Sequence, residues 1–203
     1  MIAIVDYGVG NLFSVQCSFN AIGAETVVTS DKAVIEAADR ILLPGVGAFG
    51  DAAAKLRASG LDKVVIAEAK KGKPILGICL GMQLLFEKSY EYGEHEGLGL
   101  IPGAIRPIAD VIPEGLKIPH IGWNALTLTQ KDNPVFKYVQ DGDCVYFVHS
   151  YYAATDAAYV TATAEYGAPI TVSAAYGNVY GCQFHPEKSG NVGLNILRAF
   201  NEV

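Results

Sequence analysis

The chain has 203 residues, 51% of them hydrophobic and 18% charged, with a formal net charge of −6. This composition suits one folded domain burying roughly 70% of its unfolded surface, and it excludes a disordered chain. The acidic balance, with no long basic run, excludes a nucleic-acid binder.

The opening MIAIVDYG has no basic stretch ahead of its apolar run, so it does not read as a signal peptide. Short apolar runs then alternate with helical patterns. Residues 2–6, 25–29, 40–44 and 74–78 are β-rich and nearly all apolar, as strands covered on both faces should be. Residues 11–22, 51–58 and 61–71 carry helix formers, with Gly23, Gly60 and Gly72 near their ends, where a left-handed cap belongs. The apolar run 74–86 is too short to span a bilayer and contains Gln83, so no membrane contact is expected. Beyond it, residues 118–128, 143–152, 158–166, 170–176 and 179–184 read as strands, and AAYGNVYG as a hairpin. Residues 189–203 read as a last helix. No linker or repeat interrupts the chain. Residues 1–203 therefore read as a single α/β domain: a mostly parallel central sheet, flanking helices and added antiparallel strands.

Three stretches carry chemistry. In GICLG, Cys79 follows a strand, precedes a helical run and has Gly77 and Gly81 on either side. That is the pattern of a nucleophile elbow with cysteine in place of serine. The amino end of the following helix favours thiolate over thiol. A small hydrophobe buried in the sheet would fit the same pattern, and that is the reading for Cys17, Cys144 and Cys182. The four cysteines form no C-x-x-C pair and no metal-ligand spacing, so no metal or cofactor is expected, and a reduced, cytoplasmic protein is.

A cysteine nucleophile needs a base, and the base an orienting acid. Of four histidines, only His185 has a carboxylate two residues on, Glu187, with Pro186 stiffening the chain between them. In an extended segment these two side chains face the same way. The third stretch is LPGVGAFG, residues 43–50. Its glycines let backbone amides turn toward a ligand, and such amides stabilise the oxyanion formed when a carbonyl is attacked. The Leu80 amide and the segment Gly45–Gly47, with Val46 and Gly47, are the expected donors. A phosphate cradle would also use such a turn, but the Lys-Ser/Thr pair of a P-loop is absent.

GICLGMQ with a distant FHPE resembles the triad (class I) glutamine amidotransferases, in the order Cys, His, Glu. Within them, DYGVGNL (6–12), LPGVGAF (43–49), IPHIGWN (118–124), VHSYY (148–152) and FHPEKS (184–189) resemble the glutaminase subunits of imidazole glycerol phosphate synthases. The likeness runs from end to end, with departures only around AIRPI (104–108). It implies a flavodoxin-like fold, glutamine as substrate and a (β/α)8-barrel cyclase as partner. It implies Cys79 as nucleophile, His185 as proton shuttle and Glu187 as its orienting group. Gln83 and Glu91 would hold the substrate amino group, Gly45 would border the substrate, and the backbone of Ser150 and Tyr151 would receive its carboxylate. Asn11, Trp123, Tyr146 and Lys188 are the expected partner contacts, and His120 and His149 are expected to be structural or interface residues and not catalysts. A solvated helix end is the alternative for Glu91. A cysteine hydrolase of another kind, or a non-catalytic binding domain of the same shape, would share the fold.

Overall fold

The computed structural model describes residues 1–203. Its first half runs β1 (Ile2–Val5), α1 (Leu12–Ala21), β2 (Thr26–Thr29), α2 (Lys32–Ala37), β3 (Arg40–Leu43), α3 (Phe49–Ser59), α4 (Leu61–Lys70), β4 (Ile75–Ile78) and α5 (Leu80–Leu84). The second half is richer in strands: β5 (Phe86–Ser89), β6 (His95–Glu96), β7 (Ile101–Pro107), β8 (His120–Ala125), β9 (Thr127–Leu128), β10 (Cys144–His149), β11 (Tyr151–Ala154), β12 (Val160–Glu165), β13 (Pro169–Tyr176) and β14 (Val179–Cys182). Helix α6 (Gly190–Asn201) closes the chain. No helix is long and apolar enough to cross a membrane.

The main sheet has the order β2-β1-β3-β4-β14-β13-β12-β9. Pairing is parallel from β2 to β14 and antiparallel from β14 to β9. Both faces are covered along β1 and β4 and over residues 41–43 of β3, which is why these stretches are apolar. Strand β2, expected to be covered on both faces, is instead the half-buried edge strand and keeps Thr26 and Thr29. In β1, Ile2 and Ile4 pack into one core with Phe19, Ile196 and Phe200. Ala3 and Val5 point the other way, to a second core with Phe49, Leu56 and Val65. Each fully buried Ile, Leu or Phe contributes about 1.5–3 kcal/mol of transfer free energy. Helix α6 buries Gly193, Ile196, Leu197 and Phe200, one stripe at helical spacing. Gly60 ends α3 at φ 70, as its position near the helix end implies.

Three departures from the sequence expectations have physical causes. Helix α2 was not foreseen; it has only 6 residues, buries Ile35 alone and is capped by Asp31, too little for periodicity to register. The helical run after Cys79 lasts only 5 residues, and the chain becomes β5 at Phe86. Leu84, Leu85 and Phe86 are all buried, so no polar face marks the switch from helix to strand. Residues 143–152 break at Ser150 into β10, which pairs with β8, and β11, which joins a second sheet of order β11-β7-β5-β6. The hairpin between β13 and β14 does form, with Tyr176 opposite Val179 and Gly177 at φ 58.

Strands β3, β4 and β14 are parallel neighbours, so their carboxyl ends lie side by side. After them come, respectively, the 44–48 segment, Cys79, and the stretch from Gln183 to His185. Helix α5 presses onto these ends at backbone contact distance. A Cβ on Gly81 would lie 1.8 Å from the Leu43 carbonyl oxygen, and one on Gly77 would lie 2.7 Å from the Gly81 oxygen. Gly81→Ala should therefore destabilise the fold by ~3 kcal/mol, because backbone atoms cannot step aside. A denaturant midpoint equal to that of the unsubstituted chain would show that this approach is dispensable.

Candidate active site

A chain leaving β4 and entering α5 at such close range must turn sharply, and Cys79 takes the turn at φ 55 and ψ −114. A non-glycine residue held there stores about 1–3 kcal/mol of strain. The Cys79 amide donates to the Cys182 carbonyl at 2.8 Å, and the Cys79 carbonyl accepts from the Gln83 amide at 3.2 Å, so both neighbours hold the turn. The side chain is pushed into a cavity of about 550 Å³.

His185 lines the same cavity. Its amide donates to the Tyr146 carbonyl and its carbonyl accepts from the Ser189 hydroxyl, which fixes the backbone beneath the ring. Ring Nδ1 lies 2.8 Å from Glu187 Oε1, and the two side chains are 4% and 2% exposed. The pairing does not arise from strand alternation. Residues 186–188 form a single 3-10 turn, which folds Glu187 back beneath the ring. Burial opposes a charge on His185, but hydrogen bonds to Cys79 and Glu187 and their negative charge outweigh it, raising the pKa to about 9.

The Gln183 amide lies between these groups and Gln83. Gln83 Nε2 donates to Gln183 Oε1 at 2.8 Å, which leaves Gln183 Nε2 directed at Cys79 Sγ, 3.6 Å away. Neither the Val46 nor the Leu80 amide donates to any group in the chain, and both residues line the cavity. Gly47 is at φ 95. Gly45 is buried beside the cavity, where a Cβ would meet the Tyr7 hydroxyl at 2.8 Å and the Gly81 amide nitrogen at 2.9 Å. Tyr7 donates to the Pro44 carbonyl, and burial, with Cys79 nearby, raises its pKa.

Gln83, Glu91, Ser150 and Tyr151 complete the walls. Glu91 is not on a helix end; it sits in the turn after β5, half-buried, and accepts a hydrogen bond from the Phe49 amide. Three of the four expected partner contacts form one surface group. Trp123 is 58% exposed and meets Tyr146 edge-on at 6.3 Å, and Lys188 Nζ lies 5.8 Å from the Tyr146 ring centre. Asn11 is exposed and caps α1, accepting from the Ser14 amide. None of the four lines the cavity.

Sequence patterns missed Gln183, His149 and Tyr92, which also line it. Gln183 had a signal, since it stands two residues before His185 in an extended stretch. His149 had none. Its Nδ1 donates to the Tyr151 carbonyl and its Nε2 accepts from His120 Nδ1 at 3.0 Å. Burial lowers its pKa to about 4, so this ring is neutral where His185 is charged.

The raised pKa of His185 predicts a pH dependence. Its stabilising contribution should be complete below about pH 6.5 and lost as pH rises through about 9. Following the His185 ring by NMR should show a midpoint near 9, moving down in Glu187→Gln. An unchanged midpoint in that variant would mean that the carboxylate does not hold the proton on the ring.

The chain matches the family described as glutamine amidotransferase class-I over residues 3–202. It is 47% identical over 207 residues to the imidazole glycerol phosphate synthase subunit HisH of Syntrophotalea carbinolica, with 100% of each chain covered. It is 49% identical to the HisH subunit of Bacillus cytotoxicus, covering 100% of this chain and 95% of that one. A crystal structure of a glutamine amidotransferase shares the fold, with a TM-score of 0.75 at 19% identity, covering 100% of this chain and 98% of that chain. PurLQS from Thermotoga maritima likewise aligns with a TM-score of 0.75 at 20% identity, covering 98% of this chain and 96% of that chain. The chain therefore belongs to the class-I glutamine amidotransferases and, within them, to the HisH glutaminase subunits of imidazole glycerol phosphate synthase.

Proposed function

We propose that Cys79, His185 and Glu187 act as the triad with which this chain hydrolyses glutamine to glutamate and ammonia. The observation that carries this is the strained Cys79 backbone, which turns the thiol into the cavity shared with a His185 ring held by Glu187. Cys79 Sγ attacks the side-chain amide carbon of glutamine. His185 delivers a proton to the departing nitrogen, releasing ammonia and leaving a glutamyl thioester. The same ring then takes a proton from water as it attacks the thioester, and glutamate leaves. Glu187 keeps the imidazole oriented and stabilises its charge.

The amides of Val46 and Leu80 receive the oxygen that becomes negative at each attack, and Gly47 gives the Val46 segment its freedom. Gln83 and Glu91 take the substrate ammonium group, Ser150 and Tyr151 take its carboxylate, and Gly45, buried beside the cavity, borders the bound amino acid. The whole of residues 1–203 acts as one glutaminase unit in the cytoplasm.

The partner in this reading is a (β/α)8-barrel cyclase, which uses the ammonia to make imidazole glycerol phosphate and aminoimidazole carboxamide ribonucleotide in histidine biosynthesis. It docks around the cavity mouth, over Asn11, Trp123, Tyr146 and Lys188. Exposed Trp123 and half-buried Tyr146 are the kind of aromatic anchors that dominate protein interfaces. Free ammonia would be wasted without an acceptor. In the isolated subunit the Val46 peptide therefore rests away from the oxyanion position, and the loaded cyclase favours the turned form.

Ammonia release from glutamine, measured for the subunit alone, with cyclase, and with cyclase plus its ribonucleotide ligand, tests this directly. Only the last should be fast, by roughly two to three orders of magnitude, the worth of one oxyanion donor. Equal rates in all three would remove the coupling. In the loaded complex, Cys79→Ser should abolish turnover while the fold survives, since serine is nearly isosteric but far less acidic. Glu187→Gln should keep more activity than His185→Ala, and the double variant should be little worse than His185→Ala alone. Substantial activity in Cys79→Ser would exclude Cys79 as the nucleophile.

A further inference from the structure

The glycine-rich segment between β3 and α3 is fastened at both ends by side chains from elsewhere in the fold. At its start, the Tyr7 hydroxyl donates to the Pro44 carbonyl at 2.7 Å. At its end, the Phe49 amide donates to Glu91 Oε2. The second bond exists because α3 lacks a cap of its own: its N-cap is Ala48, which has no side-chain acceptor, and a carboxylate is well placed at a helix amino end. His95, which opens β6 just after the turn that carries Glu91, packs on the first residues of α3. A Cβ on Gly50 would lie 2.8 Å from its ring, so the turn and the helix start are fitted closely. Between the two fastenings lie only Gly45, Val46, Gly47 and Ala48, with Val46 43% exposed.

The fastenings differ in one respect. Tyr7 is buried and makes its bond away from the cavity, whereas Glu91 lines the cavity and its Oε1 takes no hydrogen bond within the chain. We propose that Glu91 is a positioning residue that joins recognition of the substrate ammonium group to the geometry of the Val46 segment. The proposal rests on the glutaminase assignment above and adds a coupling to it. One carboxylate oxygen binds the ammonium group while the other holds the Phe49 amide. Filling the site therefore immobilises the carboxylate, and with it the end of the segment that must present the Val46 amide. Binding energy at the amino group, remote from the reacting amide, is then realised at the oxyanion. Its loss should lower kcat as well as raise KM.

The test uses the complex with cyclase and its ribonucleotide ligand. Glu91→Gln keeps an oxygen for the Phe49 amide but removes the charge, so KM for glutamine should rise at least about tenfold and kcat should fall, but by less than in the alanine variant. Glu91→Ala removes both, so KM should rise similarly and kcat should fall by a further factor on the order of 100, the worth of a misplaced oxyanion donor. Amide hydrogen exchange over residues 46–50 should be faster in the alanine variant and unchanged in the glutamine variant. A second arm needs no substitution: glutaramate, which is glutamine without its amino group, should show a lowered kcat with the unsubstituted complex. Equal kcat for the glutamine and alanine variants, or a kcat for glutaramate equal to that for glutamine, would overturn the coupling. An unsubstituted complex that hydrolyses no glutamine would instead refute the glutaminase assignment, so the two failures are distinct.

Discussion

The site depends on one close approach, that of the first turn of α5 to the carboxyl ends of β3 and β4. The helix can come so near only because Gly77 and Gly81 carry no side chains; a Cβ on Gly81 would sit within bonding distance of the Leu43 carbonyl oxygen. The approach forces Cys79 to φ 55 and turns its thiol into the cavity instead of the core. A strain of about 1–3 kcal/mol is affordable only where the surroundings overdetermine the geometry. Two packed cores and the hydrogen bonds on either side of Cys79 provide that.

Two histidines beside this cavity show how partners, more than burial, decide charge. His185 and His149 both lose hydration, and for both that loss is the largest single influence on the pKa. His185 faces a carboxylate and a thiol, and it keeps its proton to about 9. His149 faces another imidazole and a backbone carbonyl, and it stays neutral down to about 4. One cavity thus holds an imidazole able to give up a proton beside another whose tautomer is locked by neutral partners. The neutral ring braces the Tyr151 carbonyl, so it shapes the cavity wall without competing for the proton.

The two halves of the chain divide the work. The parallel half places Cys79 and the glycine-rich segment on adjacent strand ends, where open α/β sheets gather their ligands. The antiparallel half supplies the opposite wall. Ser150 marks the point where the chain leaves the β8–β10 ribbon and enters the second sheet, so the backbone bends across the cavity there. The ribbon also carries the exposed side chains of Ile121 and Trp123, neither of which lines the cavity.

Local patterns were enough to find much of this. Strands buried on both faces must be largely apolar, so β1, β3 and β4 could be read from five-residue runs, and the glycines around Cys79 announced a turn too tight for side chains. A histidine with a carboxylate two residues on is likewise a local signal, although its geometry comes from a 3-10 turn and not from an extended strand. What sequence could not give was anything set by contact across the fold. Helix α5 ends after one turn, and because Leu84, Leu85 and Phe86 are all buried there is no period from which that end could be read. Strand β7 pairs with the distant β11, Tyr151 opposite Pro107, and β5 pairs with β7 through a shift in register, so neither pairing is visible locally. Gln183 takes its place from Gln83, 100 residues away. The Phe49 amide finds Glu91 across 42 positions. Composition, alternation and glycine spacing are properties of neighbouring residues and survive in the bare sequence. Which buried polar group meets which is decided only when the strands take their order, because an unpaired donor in the interior costs more than any local preference can offset.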